Sequence, residues 1–414
     1  MFRRTASIVA ALTGAAFLFA AAPAPRDGGT LKVVSSLPRT GSANSQTTSM
    51  VNGIKMAIEE RGGKVDDWTI SYEDWDDASP QKGNWDPAVE AANANKAAAD
   101  TQIVGYIGTY NSGASKIAMP ILNKAGLVMI SPGNTYPGLT KPGTGEPNEP
   151  RIYRPSGKIN YFRVVPTDDI QGAVAAEFCT KDLAAKKAFV LHDRELYGKG
   201  IADVFKKTSE AAGLQVVGFE GIDAKASNYR SLVTKIRATN PDVVFFGGTT
   251  QTNAAQILKD LRAGGCKVPF VSPDGTFEEA YIEAAGKENM ERDEKGGGGV
   301  YITFGGLPAK ELKGAGAEFV KRYMEKFGKE PEGYAVYGYE AARVLLDAID
   351  RADTKDRAAI LAAVAATKDF TGPLGTWSFD PNGDTTNRTM SVNTVKNGKF
   401  EFVKASGMAP AQDH

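Results

Sequence analysis

Short apolar runs alternate with helix-length amphipathic segments through most of this chain, and that alternation constrains its fold more than any other feature. Residues 31–36 (LKVVSS) read as a strand feeding a loop at Thr40, Gly41 and Ser42. Met50, Ile54, Ala57 and Ile58 then share one helical face that stops at Gly62-Gly63. A strand over 69–75, a helix over 87–99 opened by proline, a strand over 103–107, a helix over 113–125 and a strand over 127–130 continue the series. Continuous apolar strands separated by helices of about ten or more residues predict βαβ units, hence a parallel sheet covered on both faces. With 414 residues and 42% hydrophobic composition, the chain is long enough for two such domains of about 100–200 residues.

A Pro-, Gly- and polar-rich stretch over 138–157 separates the two blocks and reads as a long surface loop, with an extended segment over 161–165 leading on. The second block repeats the rhythm. Strands are expected over 188–192, 214–219, 242–246 and 268–271, and helices over 200–212, around Leu232, Val233 and Ile236, and around Ala254, Ile257, Leu258 and Leu261. A charged stretch over 287–295 and glycines 296–299 precede a strand over 300–304. Helices over 318–327 and 337–352, a short strand over 377–379 and a hairpin over 391–403 turning at Asn397-Gly398 complete the pattern. The prediction is two α/β lobes with ligand-facing loops at the carboxyl ends of their strands.

Lys+Arg and Asp+Glu balance at 49 each, so no global charge argues for nucleic acid or an anionic membrane. Arg3 and Arg4 followed by an apolar run over 8–22 predict an export signal, assigned to residues 1–24, and a periplasmic mature protein; prolines at 23 and 25 leave its cleavage point open. Cys179 and Cys266 can form a disulfide in an oxidising compartment or remain two buried thiols.

Few residues suit catalysis. His192 and the terminal His414 are the only histidines, too few for a Ser-His-Asp constellation or a multi-histidine metal site, and neither a GxSxG elbow, a Cys-x-x-Cys pair nor a dinucleotide-binding glycine fingerprint occurs. The pairs Asp76-Asp77 and Asp168-Asp169 read as solvated loop surface. Binding groups are better represented. Gly108-Thr109-Tyr110-Asn111-Ser112-Gly113 stands between a strand and a helix start, where free N–H groups, the helix dipole and the Ser112 hydroxyl make an anion site or, more plainly, an N-cap. Ser131-Pro132-Gly133-Asn134-Thr135 ends the neighbouring strand and offers further donors, or simply a turn. In the second block Asp274 can accept an ammonium, Tyr197 can cover an apolar side chain and Thr249 can add a hydrogen bond.

Ile107-Gly108 with Ser112, MISPGNTYPGLT (129–140), YFRVVPTDDIQG (161–172), VLHDRELYGKG (190–200), FFGGTT (245–250), PDG (273–275) and FTGPLG (370–375) together resemble the type I periplasmic solute-binding proteins of branched-chain amino acid ABC transporters. The resemblance spans nearly the whole mature chain. It implies two doubly wound parallel-sheet lobes joined by a three-crossover hinge, with crossings near 161–165, 302–305 and 371–377 and closure by hinge motion. One lobe would comprise 27–162 with 304–372, the other 163–303 with 373–410. It further implies that Ser112, Gly133 and Thr135 hold a ligand carboxylate, that Tyr197 closes over the ligand, that Thr249 lines the cleft and that Asp274 takes the α-ammonium. Thr249 stands where family members that bind branched-chain amino acids often carry an aromatic, and the 138–157 insert is not typical. A threonine there suits a larger or more polar side chain.

The expected function is therefore the binding subunit of an ABC importer, a monomer without cofactor or metal that delivers an amino acid or related small polar metabolite to an inner-membrane permease. The alternative is a ligand-sensing domain for a receptor or regulator, taking an amide, carboxylate or aromatic acid. An exported hydrolase lacks a nucleophile–base pair.

Overall fold

A computed structural model describes residues 28–293 and 297–406; the export-signal reading and part of the charged, glycine-rich stretch at 294–296 fall outside them. In the first lobe β1 (Thr30–Leu37), α1 (Asn44–Glu60), β2 (Lys64–Val65), β3 (Trp68–Asp76), the small hairpin β4 (Ala78–Ser79) and β5 (Asn84–Trp85), α2 (Pro87–Ala99), β6 (Ile103–Gly108), α3 (Ser112–Lys124), β7 (Val128–Ser131) and β8 (Tyr161–Arg163) follow in order. The strands form a sheet in the order β2-β3-β1-β6-β7-β8, parallel except for β2. All six residues of β6 are buried, as a strand covered by helices on both faces requires. Proline at its first position and Asp86, which accepts the Ala88 N–H at 2.8 Å, explain why α2 begins where the sequence predicts.

The second lobe contains α4 (Asp168–Glu177), β9 (Lys187–His192), α5 (Leu196–Ala211), β10 (Gln215–Gly221), α6 (Arg230–Ala238), β11 (Val243–Gly247), α7 (Ala254–Ala263), β12 (Phe270–Ser272), α8 (Glu279–Ala285), α9 (Lys287–Met290) and β13 (Val300–Gly305). The chain then returns to the first lobe for α10 (Ala315–Phe327), α11 (Ala335–Ala352), α12 (Arg357–Ala365) and the hairpin β14 (Phe370–Gly372) and β15 (Gly375–Trp377). It ends in the second lobe with β16 (Met390–Lys396) and β17 (Lys399–Ser406). The second sheet runs β10-β9-β11-β12-β13-β16-β17, parallel up to β13 and antiparallel beyond it.

Three connections therefore join two doubly wound sheets. The third lies at 378–389, later than the sequence suggests, because Trp377 donates to Glu340 of α11 at 2.8 Å and keeps the β14–β15 hairpin on the first lobe. Arg163, fully buried at the end of β8, ties the first connection to the third: its Nε meets Asp384 at 2.6 Å, and its backbone N–H meets the Gly383 carbonyl at 3.0 Å.

Two readings are corrected and one open alternative is resolved. The 138–157 stretch is not wholly a surface loop: residues 138–140, 149, 150 and 153 are buried. The Tyr136 and Tyr153 hydroxyls donate to the Glu149 carboxylate, and Lys141 grips Asp169 at 2.9 Å, so internal polar partners hold the insert down. Asp168 and Asp77 are not solvated; both are fully buried, Asp168 in the first turn of α4 and Asp77 beside Glu90. Cys179 and Cys266 are two buried free thiols.

Candidate ligand cleft

Both walls of the cleft are strand ends. In the first lobe Ile107 of β6 pairs with Ile130 of β7, which sets the two following loops side by side. Ser131 stitches them together: its Oγ donates to the Thr109 carbonyl at 3.0 Å and accepts the Gly133 and Asn134 N–H groups at 3.2 and 2.9 Å. The Gly133 N–H is thus already engaged within its own loop. A Cβ at Gly133 would lie 3.1 Å from Met50 and 3.3 Å from the Tyr110 ring, so glycine keeps this wall open. Asn111 is the N-cap of α3, and Ser112 its first residue. Ser112 is buried, and its hydroxyl has one long contact, accepting the Tyr136 N–H at 3.4 Å. Thr135 is buried with its hydroxyl unpartnered within the protein, while its carbonyl accepts the Asp168 N–H at 2.9 Å.

In the second lobe Tyr197 lies in the first turn of α5, Thr249 follows β11, and Asp274 follows β12. The Tyr197 hydroxyl donates to Asp274 Oδ1 at 2.7 Å and accepts the Gly275 N–H at 3.1 Å. The other Asp274 oxygen accepts from Tyr334, which immediately precedes α11 and reaches over from the first lobe. Burial raises the Asp274 pKa, and the hydroxyls of Tyr334 and Tyr197 offset part of that rise. Tyr197 therefore serves the carboxylate directly, besides covering the cleft.

Asp168 is the buried carboxylate near the cleft that sequence reasoning placed on the surface; it is not among the lining residues of either cavity of the cleft. Neither carboxylate oxygen has a hydrogen-bond partner within the protein. Burial first, then the nearby Asp274, push its pKa well above the ordinary range, while the charge of Arg163 eases the rise. The side chain of Gln171, one helical turn on, donates to the Thr303 carbonyl at 2.9 Å and leaves its own oxygen unpartnered. The only sequence signal was the position of Asp168 within YFRVVPTDDIQG, where an adjacent aspartate disguised it as surface.

Ser112, Gly133, Tyr197, Thr249 and Asp274 line one cavity of about 250 Å³, together with Tyr110, Asn111 and Gly275. Thr135 is not among its lining residues. A second cavity of about 250 Å³ shares Asn111, Ser112, Tyr197 and Thr249 and extends to Asn84, Trp85, Asp193, Glu195 and Thr252. Among the described residues no group of three His, Cys, Asp or Glu is placed to hold a metal ion.

Two parallel-sheet lobes, three connections and a cleft between opposed strand ends define a type I periplasmic binding fold. The profile of the family described as periplasmic binding protein matches residues 30–399, and the chain belongs to that family. It is 30% identical over 326 residues to a protein of Pseudomonas aeruginosa named amino acid binding protein, covering 78% of each chain. It is also 30% identical over 350 residues to Leu/Ile/Val-binding protein homolog 1 of Brucella abortus, covering 84% of this chain and 85% of that one. Among solved structures, a leucine binding protein of Thermotoga maritima superposes with a TM-score of 0.79 at 27% identity, over 91% of this chain and 99% of that one.

Proposed function

We propose that this protein is the extracytoplasmic solute-binding subunit of an ABC importer, one that captures an α-amino acid or a close polar relative between its lobes and presents it to a membrane permease. The observation that carries the reading is Asp274, a buried carboxylate that lines the cavity on the second-lobe side with the buried Asp168 nearby, opposite the donor loops of the first lobe. Two buried carboxylates so placed call for a positive group, and a ligand ammonium supplies it. The Ser112 hydroxyl and the start of α3 suit the carboxylate of the same zwitterion, with Thr135 behind them outside the cavity lining.

In this reading Tyr197 and Tyr334 orient Asp274, Thr249 borders the side chain, and the protein acts as an exported monomer without chemistry of its own. The lobes are the two sheets with their flanking helices, divided near residues 163, 304 and 378. The relatives' names, which include amino acid and Leu/Ile/Val binding, favour the same ligand class. Among the described residues no helix is long and apolar enough to cross a membrane.

A thermal-shift screen against amino acids, amides, polyamines and aromatic acids tests the proposal. A ligand at about 100 times its Kd adds about 2.7 kcal/mol of stability, a plain rise in Tm. Hits among α-amino acids, lost when the ammonium is replaced by a hydroxyl, are the expected outcome. Hits confined to ligands without an ammonium would remove Asp168 and Asp274 from the clamp.

A further inference from the structure

The side-chain end of the cleft combines aromatic rings, Trp85 and Tyr197, with amide, hydroxyl and carboxylate groups. Among the described residues, neither cavity is lined by an aliphatic side chain. Beyond the proposed zwitterion clamp the walls are Asn84, Trp85, Asn111, Asp193, Glu195 and Thr252. A ligand ending in a branched aliphatic group would displace water from these groups and return no hydrogen bond.

Asn111 stands where the two cavities join. It caps α3 by backbone conformation alone, with no side-chain cap hydrogen bond, so its amide is not consumed by the helix. Its Nδ2 reaches Gln251 Oε1 in the second lobe at 3.4 Å. That contact leaves Asn111 Oδ1, an acceptor, and Gln251 Nε2, a donor, buried and without partners. Nearby, Asp193 is held in place, accepting the Glu195 N–H and the Thr252 hydroxyl at 2.9 Å each, and burial lifts its pKa to about 7. Carboxylates line this end and no Lys or Arg side chain does, which disfavours an anionic tail.

From this geometry we infer that the protein selects amino acids whose side chains end in a nitrogen-borne hydrogen-bond donor, a carboxamide, ammonium or guanidinium, with Asn111 as the residue that reads it. The inference rests on the zwitterion clamp proposed above and adds the substrate class. Trp85 supplies a flat face for the methylene stem or the planar end group, and the Asn111 oxygen accepts from the nitrogen. A cation also draws on Asp193 and Glu195, which line the same cavity.

Calorimetric titration of the full chain with side chains matched in length tests this: glutamine against methionine, lysine against norleucine, and glutamate as the anionic control. Sites built to hydrogen-bond a substrate group reject analogues lacking it by up to about 10⁴–10⁵-fold. A gap of at least about 100-fold in favour of a nitrogen-bearing member is expected here. The pair that shows the gap distinguishes amide from cation. Asn111→Leu should close most of that gap and leave the Tm of the unliganded protein little changed. Methionine, leucine or norleucine binding as tightly as its polar counterpart would overturn the specificity while leaving the clamp intact. An undiminished gap in Asn111→Leu would overturn the role of Asn111. No binding by any α-amino acid, with analogues lacking the ammonium still bound, would overturn the clamp and this inference with it.

Discussion

The two walls of the cleft are assembled from the same strand-to-loop-to-helix joint, yet they carry opposite chemistry. On the first-lobe side Tyr110, Asn111, Ser112 and Gly133 present hydroxyls, an amide and a helix start, and no carboxylate. On the second-lobe side Asp168, Asp193 and Asp274 are all buried, and Asp168 has no partner within the protein. One or two side chains per loop make the difference, because the backbone joints are alike. The comparison teaches what the proposed ligand would have to satisfy: burying carboxylates without a counter-charge costs several kcal/mol each, and under the proposed clamp a zwitterion's ammonium would relieve that cost on one wall while its carboxylate met the other.

The largest expected effect is on pH dependence without ligand. Burial lifts Glu278, the N-cap of α8 in the second lobe, from 4.5 to about 8, and Glu90 of α2 in the first lobe likewise to about 8. A raised acid pKa means that the folded form holds a proton the unfolded form releases. Stability is then full below about pH 4.5 and declines until about pH 8. Denaturant unfolding across that window should show a fall of several kcal/mol, and Glu278→Gln should make it shallower, leaving the part due to Glu90; an unchanged slope in the variant would place the titrating group elsewhere.

Next in size, Asp274→Ala should weaken amino-acid binding by about 2–5 kcal/mol by calorimetry, because it strips the charge from the second-lobe wall and leaves the ligand ammonium without its partner. Ser112→Ala, which removes one hydrogen bond to a charged group on the first-lobe wall, should lose about 1.5–3 kcal/mol. Equal losses at the two positions would break the contrast between a charged and a neutral wall. Asp168→Asn sharpens it most, since its two effects have opposite signs. Ligand binding should weaken, while the unliganded protein gains about 1–3 kcal/mol in chemical denaturation near neutral pH, because an amide replaces a carboxyl whose ionisation burial opposes. A loss of stability instead would mean that Asp168 has a structural partner.

The fold was largely legible because its strands are continuous apolar runs: VVFFG over β11 is buried at all five positions and can be little else. Helices with a polar face and a stop signal were legible too, such as α1 ahead of Gly62-Gly63. α4 escaped because DDIQGAVAAE is buried along most of its length, with Gln171 and Gly172 facing the interior, so it lacks the polar stripe that betrays a surface helix. The same contrast governs the site. Loops at strand ends pointed to Ser112, Tyr197, Thr249 and Asp274, which line one cavity, whereas Asp168, Asn111 and Gln251 acquired their significance from what they were left without.

The amino-acid sequence by itself determined two parallel-sheet lobes, the order in which their strand-end loops appear, and the residue types those loops offer, because periodicity and turn chemistry act over a few residues. The tertiary structure alone decided which of two adjacent aspartates is buried, that Tyr334 reaches Asp274 from the other lobe, and that Asn111 meets Gln251 across the cleft. Those facts depend on desolvation and on contacts between segments 60 to 140 residues apart, which no local pattern encodes.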